Sequence, residues 1–563
     1  MRMAIDQSRG DPKMRGIDNF RGGPAHGCKL CIATYPRDAS VRHCKGAVRN
    51  VANTYLRIEG GEICIAPKAI PIKHHRTRAL FRRKGEVSTY LKPYTLHLTR
   101  PRLILPRMSM QSRYRFSCAW LADGWHRNVV ISVDPAGDIV DVSSDDVVTT
   151  ARMVNGIAIP GMPNAHSHAF QRALAGLAER RSGNTDTFWS WRDVMYRLAG
   201  RLSPESLNAI AAQVYADMLK AGYTAVCEFH YLHNQPNGRA YDDALVMCQS
   251  LIDAAATAGI GLTLLPTLYQ TSDFDGADAV GVQKRFAMQT EDYLSMIGKM
   301  RPAPQHAAQI EVGIAFHSLR AVPLQSINAV LDAQPGAKTI HIHIAEQEKE
   351  VTRCVEVLGQ RPVECLLDAV AVDERWSLVH ATHASTAELR AIAASGAKVV
   401  LCPSTEANLG DGSFATSEYL RAGGAFSIGS DSHIRLSPCE ELRWLEYQAR
   451  LASQQRTLLG TEPGQSIGAF LWRRACEAGA QSSARLVGSL EVGCRADVVV
   501  LDSSAPCFMG RMDDVLMDTF VFAAPANVVR DVMVGGRWLV QDGRHFAETA
   551  IAAGYRRALG KLV

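Results

Sequence analysis

Gly156-Ile-Ala-Ile-Pro160-Gly-Met-Pro-Asn-Ala-His166-Ser-His168 joins an apolar, β-branched run to a pair of histidines. Side chains alternate between the two faces of an extended segment, so residues two apart share a face. Both imidazoles can therefore reach one metal ion. Seven more apolar runs follow, separated by helical stretches. The full series covers residues 156–160, 224–229, 262–267, 311–316, 339–344, 377–380, 398–401 and 426–428. Such alternation marks βα units and a parallel sheet. Eight units closing on themselves make a (β/α)8 TIM-type barrel, with its chemistry at the C-terminal ends of the strands.

Chemistry-bearing residues do follow the runs. The fifth run is His341-Ile-His343-Ile-Ala-Glu346, and the sixth ends at His380, with Thr382-His383 beyond. The eighth continues into Gly429-Ser430-Asp431-Ser432-His433. A lone His-x-His says little. Combined with histidines on runs five and six and an aspartate after run eight, it marks a metal site. His341 lies one residue pair deeper than His343 and reads as a packed group. His383 and His433 read as supporting or surface groups, and Cys227 and Cys402 as buried packing. His230 and His233 flank the end of the second run without a decisive reading.

Both chain ends around this middle are β-like. Residues 116–125, 129–133 and 138–142 read as strands, and so do 495–502 and 532–540, with glycine turns. We expect a small β-sandwich domain built from both ends: 108–155, then the barrel over 156–485, then 486–563 with a terminal helix. Residues 1–107 differ from the rest, with 22 Lys+Arg against 7 Asp+Glu, while the remainder holds 40 against 49. Cys28-Lys-Leu-Cys31, Cys44 and Cys64 lack a second close pair, so a zinc ribbon is not expected there. This segment reads as a disordered or spurious basic leader, with the functional chain starting near Met108-Ser-Met110. No nucleic-acid partner is expected. No apolar stretch reaches the ~18 residues of a membrane span, and no secretory signal is visible. The 14 cysteines of the 563-residue chain are scattered. A reduced, cytoplasmic protein is expected.

The histidine and aspartate pattern resembles the amidohydrolase superfamily over about residues 114–560. Binuclear members carry a carboxylated lysine on strand four, and Glu311-Val-Gly-Ile-Ala-Phe316 has none. The resemblance thus implies a mononuclear site, one Zn2+ per chain on His166, His168, His343 and Asp431. Three imidazoles and a carboxylate with an open position suit zinc and a water. Zinc lowers the pKa of its water from about 15.7 to roughly 7. Asp431 can take the water's proton, Glu346 can deliver one to the leaving nitrogen, and His380 can support the attacking oxygen.

Further segments narrow the resemblance to one deiminase subgroup. They are His166-Ser-His-Ala-Phe-Gln171, Phe188-Trp-Ser-Trp-Arg192, Glu228-Phe-His-Tyr231-Leu-His233, Phe316-His317-Ser-Leu-Arg320 and Leu401-Cys-Pro-Ser-Thr-Glu-Ala-Asn408. The activity implied is hydrolysis of N-formimino-L-glutamate to N-formyl-L-glutamate and ammonia, in histidine degradation. Arg192 and Arg320 would each grip a carboxylate of this small dicarboxylate by paired hydrogen bonds. Gln171 and Tyr231 would be neutral partners, and His317 would contact the formimino group. A homodimer is expected. The alternatives are a related deaminase of a nucleobase or other cyclic amidine, which would want stacking surfaces and amide readers, and a non-catalytic ligand-binding barrel.

Overall fold

A computed structural model describes residues 111–144, 150–181, 185–300, 308–525 and 527–562, plus two short strands further upstream. The chain divides into two units, Met1–Pro101 and Arg102–Val563. In the first, Ile58–Glu59 pairs antiparallel with Glu62–Ile63. The expectations for the leader and its cysteines otherwise lie outside the described residues.

The second unit contains the (β/α)8 barrel. Its parallel strands are Met162–Ser167, Tyr223–His230, Gly261–Leu268, Ile314–Phe316, Ile340–Ile344, Trp376–His380, Lys398–Leu401 and Ala425–Ile428, each pairing with the next. Ile310–Val312 is a separate piece of strand four that pairs only with strand three. A parallel bridge between Ser167 and Asp431 joins strand one to the end of strand eight. The helices carry the expected stop signals. Ser203 caps Pro204–Ala221 and Gly222 ends it at φ +102°; Ser385 caps Thr386–Ser395 and Gly396 ends it at φ +80°.

The first apolar run does not form barrel strand one. Arg152–Pro160 is a strand of a second sheet, antiparallel to Val498–Leu501 and parallel to Ser112–Leu121. The barrel begins two residues later, at Met162. Gly161 is the crossing point: its N–H donates to Asp497 O (3.0 Å), while that of Met162 donates to Gly222 O (3.0 Å). A Cβ at residue 161 would lie 2.3 Å from Thr224 Cγ2, so any larger residue there must displace the Thr224 side chain. Residues 156–160 and the strand Met162–Ser167 are buried throughout, and the apolar run ends only where the metal-site residues begin, so hydropathy does not mark the boundary.

The second sheet has eight strands and draws on both chain ends, in the order Arg544–His545, Arg537–Gln541, Val529–Val534, Val498–Leu501, Arg152–Pro160, Ser112–Leu121, Gly124–Val133, Ile139–Ser143. The run read as 116–125 is two strands of a hairpin turning at Ala122-Asp123, and 532–540 divides at Gly535-Gly536. Alternation gives the sheet two buried faces. Ile157, Ile159, Val499 and Leu501 join the barrel core, whereas Ala158, Val498 and Val500 join a second core with Phe116, Ile131 and Ile139. The sheet curls until its far edge meets residues 493–496, with Ile139 N–H donating to Cys494 O (2.8 Å) and Ala496 N–H to Gly137 O (2.9 Å). A helix, Glu548–Leu562, ends the chain. Among the described residues, no helix is long and apolar enough to cross a membrane.

Candidate active site

His166 lies at the end of strand one and His168 immediately follows it, and each has little solvent exposure. His166 Nε2 lies 3.1 Å from His168 Nε2 and 3.0 Å from His343 Nε2. Asp431 Oδ1 is 3.7 Å from His166 Nε2 and 3.5 Å from His168 Nε2. Backbone carbonyls settle two tautomers. His168 Nδ1 donates to Phe229 O (2.8 Å) and His343 Nδ1 to His317 O (2.9 Å). In the neutral rings each Nε2 then presents a lone pair. A proton on His166 Nε2 could satisfy one of these two contacts but not both, so the converging nitrogens, with Asp431 beside them, fit a metal ion.

Strands five and six place the other groups. His343 and His380 stand on paired strands, their rings stacked at 5.5 Å. His380 Nε2 faces Glu346 Oε1 at 3.9 Å and Asp431 Oδ2 at 3.8 Å, and its Nδ1 meets Glu406 Oε1 at 3.3 Å. His166, His343 and His380 form one group with metal-ligand spacing, and His166, His168 and Asp431 form another. His380 thus sits within ligand reach as well as beside the two carboxylates. Ala345, His380, Ala381 and Asp431 all have positive φ, from 43° to 70°. Non-glycine residues pay ~1–3 kcal/mol each for that conformation, a cost that collects at functional sites. At Gly429, before Asp431, a Cβ would lie 2.6 Å from His166 Cβ.

Burial governs the electrostatics. It drives His166 and His343 well below the usual imidazole range, assisted by neighbouring imidazoles, and takes His168 to about 3 despite the Phe229 carbonyl. Burial lifts Glu346 to about 7, against the pull of His380 and with a further push from Asp431. Asp431 rises to about 6, again through burial, with His380 opposing. Burial alone would neutralise His380, but Glu346, Glu406 and Asp431 overcome it and raise the ring to about 10. Groups able to hold and to release a proton near neutrality thus lie side by side.

Above them opens a cleft of about 540 Å3. Gln171, Arg192, Tyr231, His317 and Arg320 all line it, together with His168, His343, Glu346, His380 and Asp431. The Gln171 amide donates to Tyr231 OH (3.0 Å), leaving its buried Oε1 unpartnered. The Arg192 guanidinium lies over the Trp189 ring at 4.3 Å. Arg320 Nη1 donates to Ser272 O (3.1 Å), and Tyr269 lies beside the guanidinium. Among the described residues, neither arginine pairs with a carboxylate. Asn408 is not in the cleft; its amide donates to Glu179 on the surface (2.8 Å).

The supporting histidines fall where expected. His341 Nε2 donates to Ser482 O (2.9 Å) deeper in the barrel, and His383 Nε2 to Asp411 O (2.8 Å). His433 bridges Ser167 Oγ (3.1 Å) and Ser430 Oγ (2.9 Å). Cys227 and Cys402 are buried, and burial pushes both thiols up. Two carboxylates escaped the sequence reading. Glu406 holds His380, and Glu228 accepts from Ser167 Oγ (2.5 Å) and Ala169 N–H (2.8 Å) beside the His-x-His pair. Each follows or ends an apolar run, the signal already used for Asp431. The aromatic wall of Phe188, Trp191, Tyr196, Tyr269 and Phe286 was also missed.

Residues 157–539 match the sequence model of the Amidohydrolase family. The chain belongs to that family. It is a hydrolase acting on carbon–nitrogen bonds. A formimidoylglutamate deiminase of Pseudomonas aeruginosa is 48% identical over 445 residues, covering 79% of this chain and 98% of that protein. A solved amidohydrolase from Brucella melitensis superposes with a TM-score of 0.76 at 41% identity, over 80% of this chain and 99% of that one. A 5-methylthioadenosine/S-adenosylhomocysteine deaminase of Nitratidesulfovibrio vulgaris is 26% identical, over 72% of this amidohydrolase and 87% of that protein.

Proposed function

We propose that this amidohydrolase converts N-formimino-L-glutamate to N-formyl-L-glutamate and ammonia, using one zinc ion, as a step of histidine degradation. The observation that carries the reading is Arg192 and Arg320 in one cleft with the imidazole cluster, neither engaged by a carboxylate of the described chain. Neither guanidinium forms a close ion pair within the described chain, although Glu350 lies in the electrostatic reach of Arg320, and the two can meet the two carboxylates of the substrate by bidentate contacts. The 48% identical relative is named for the same substrate.

His166, His168, His343 and Asp431 would hold the zinc, the donor set its open catalytic sites use. The ion supplies the Lewis acidity that makes a water nucleophilic near neutral pH. Asp431 accepts that water's proton. His380 hydrogen-bonds the attacking oxygen through Nε2. Glu346, lifted to about 7 by burial, hands a proton to the amidine nitrogen. The C–O bond forms as the C=N π bond opens; the proton from Glu346 and the one taken up by Asp431 both pass to the departing nitrogen, and the C=O bond forms as the C–N σ bond breaks and ammonia leaves. Gln171 and Tyr231 orient the dicarboxylate, and His317 contacts the formimino end. Free thiols at all ten described cysteines suit a reducing cytoplasm. Residues 1–107 have no role in this reading, and the 445-residue match spans 98% of the relative while leaving a fifth of this chain unmatched.

The test is ammonia release from N-formimino-L-glutamate beside a panel of nucleobases and nucleosides, with and without residues 1–107. Turnover of the formimino acid alone, undiminished by the truncation, is expected. Turnover of a base instead would transfer the site to the nucleobase-deaminase reading, for which the aromatic wall would be the stacking surface. A metal-free, folded protein that releases no ammonia would support a binding barrel.

A further inference from the structure

A second cluster of ligating side chains lies outside the catalytic group. His230 ends strand two, His233 follows three residues later, and Cys248 sits in the helix Val246–Ala258. All three are buried, and one donor atom of each lies within 4.8 Å of the others. Each imidazole has a buried nitrogen without a partner, Nε2 of His230 and Nδ1 of His233. The rings stand edge to face, with centroids 5.3 Å apart. His233 Nε2 donates to Thr267 O (2.8 Å), so its Nδ1 carries a lone pair, the same device that orients His168 and His343. Among the described residues, no hydrogen bond links the three groups. A buried polar atom without a protein partner calls for an account, and an ordered water, an ion, strain or a functional role can supply one; here two such nitrogens and a thiol face one another.

The surroundings select the cation. Three donors are present, one of them a soft thiol, and structural zinc sites close with four. The Arg285 guanidinium, fully buried, is near enough to His230 to help depress its pKa, behind burial and His233. A dication with one thiolate would leave a net positive charge beside that arginine. A monovalent cation with one thiolate is neutral, which removes most of the burial cost. Thiolate and imidazole ligands suit copper(I).

We propose that His230, His233 and Cys248 form a three-coordinate site, two imidazole nitrogens and one thiolate sulfur, for a soft monovalent cation of the copper(I) class. Metal–nitrogen and metal–sulfur lengths of about 2.0 and 2.3 Å put donors roughly 3.5 Å apart. Side-chain shifts of about an ångström close the set. Binding replaces the S–H bond of Cys248 by a metal–sulfur bond and releases one proton to solvent, with no change of oxidation state. His230 and His233 bracket Tyr231, whose hydroxyl accepts from Gln171 in the catalytic cleft. A filled site would therefore clamp the segment that presents Tyr231. The proposal does not depend on the substrate assigned above.

The test is anaerobic titration of the zinc-loaded full chain with copper(I) against a competing chelator. Wild type should bind one equivalent more than Cys248→Ser and one more than His230→Gln, while Cys227→Ser keeps the wild-type count. X-ray absorption of the wild-type complex should show both nitrogen and sulfur scatterers, and that signature should change in Cys248→Ser. Far-ultraviolet circular dichroism identifies any misfolded variant, and His233→Gln then replaces it. Equal copper stoichiometry in wild type and the folded ligand variants would overturn the site. Zinc held more tightly than copper(I) by the same three residues would overturn the cation class.

Discussion

His380 Nδ1 lies 3.3 Å from Glu406 Oε1, a carboxylate also fixed by the Cys402 N–H at 2.9 Å. This bond commits Nδ1 away from the cleft and turns Nε2 toward Glu346 and Asp431. Glu406→Gln weakens a charge-assisted bond worth ~1.5–3 kcal/mol. We expect kcat to fall by about 10- to 100-fold with KM little changed. The pH–rate profile should shift as well, because Glu406 is one of the groups that raise His380. An unaltered profile at wild-type kcat would show that Glu406 only fills space.

Arg320→Met removes a guanidinium held by the Ser272 carbonyl and by Tyr269, with Glu350 near it but in no close ion pair. If it grips a substrate carboxylate, the loss costs ~2–5 kcal/mol of binding. KM for N-formimino-L-glutamate should rise by about 100-fold or more, with kcat falling less. Equal kinetics in wild type and variant would remove Arg320 from the substrate site.

Removing the metal tests the imidazole cluster directly. Dialysis against a strong chelator should abolish ammonia release, and one equivalent of zinc should restore it. His168→Ala should lower both metal content and activity. Full activity in protein shown by elemental analysis to be metal-free would end the zinc reading.

Glu441 offers a test of pH-dependent stability away from the metal ligands. Burial lifts it to about 8, although Ser404 donates to it from both Oγ (2.5 Å) and N–H (2.8 Å). Its folded pKa exceeds the unfolded value of ~4.3. The native state therefore keeps a proton that the unfolded chain has lost. The group's contribution is complete below the unfolded pKa and fades as pH rises through about 8, at up to ~1.4 kcal/mol per pH unit. Glu441→Gln should lose this share of the slope. Denaturant midpoints at pH 5 and pH 7.5 should lie closer together in the variant than in wild type.

Gly161→Ala would press a methyl group against the Thr224 side chain at 2.3 Å. Overpacking of this kind costs ~1–3 kcal/mol. The denaturant midpoint should fall, and Thr224→Ala in the same chain should recover part of the loss. An unchanged midpoint would mean that the crossing between the two sheets has room to spare.

Much of this arrangement is legible along the chain because two local regularities report it. Alternating apolar runs and helices disclose the barrel, and the barrel rule then places His166, His168, His343, Glu346, His380 and Asp431 at strand ends. Strand geometry also fixes the relation of a histidine to its neighbour two residues away, which is why His-x-His could be read as one face. What the chain could not disclose depends on residues distant in sequence. Whether 156–160 belongs to the barrel or the second sheet rests on pairing with Val498–Leu501, beyond the whole length of the barrel, and a strand buried on both faces looks the same in either place. Glu406 is polar whether solvated or buried, and only the fold brings it against His380. The same holds for the two arginines: their charge is written in the sequence, but their lack of a close ion pair, on which the proposed dicarboxylate substrate rests, is decided by packing alone.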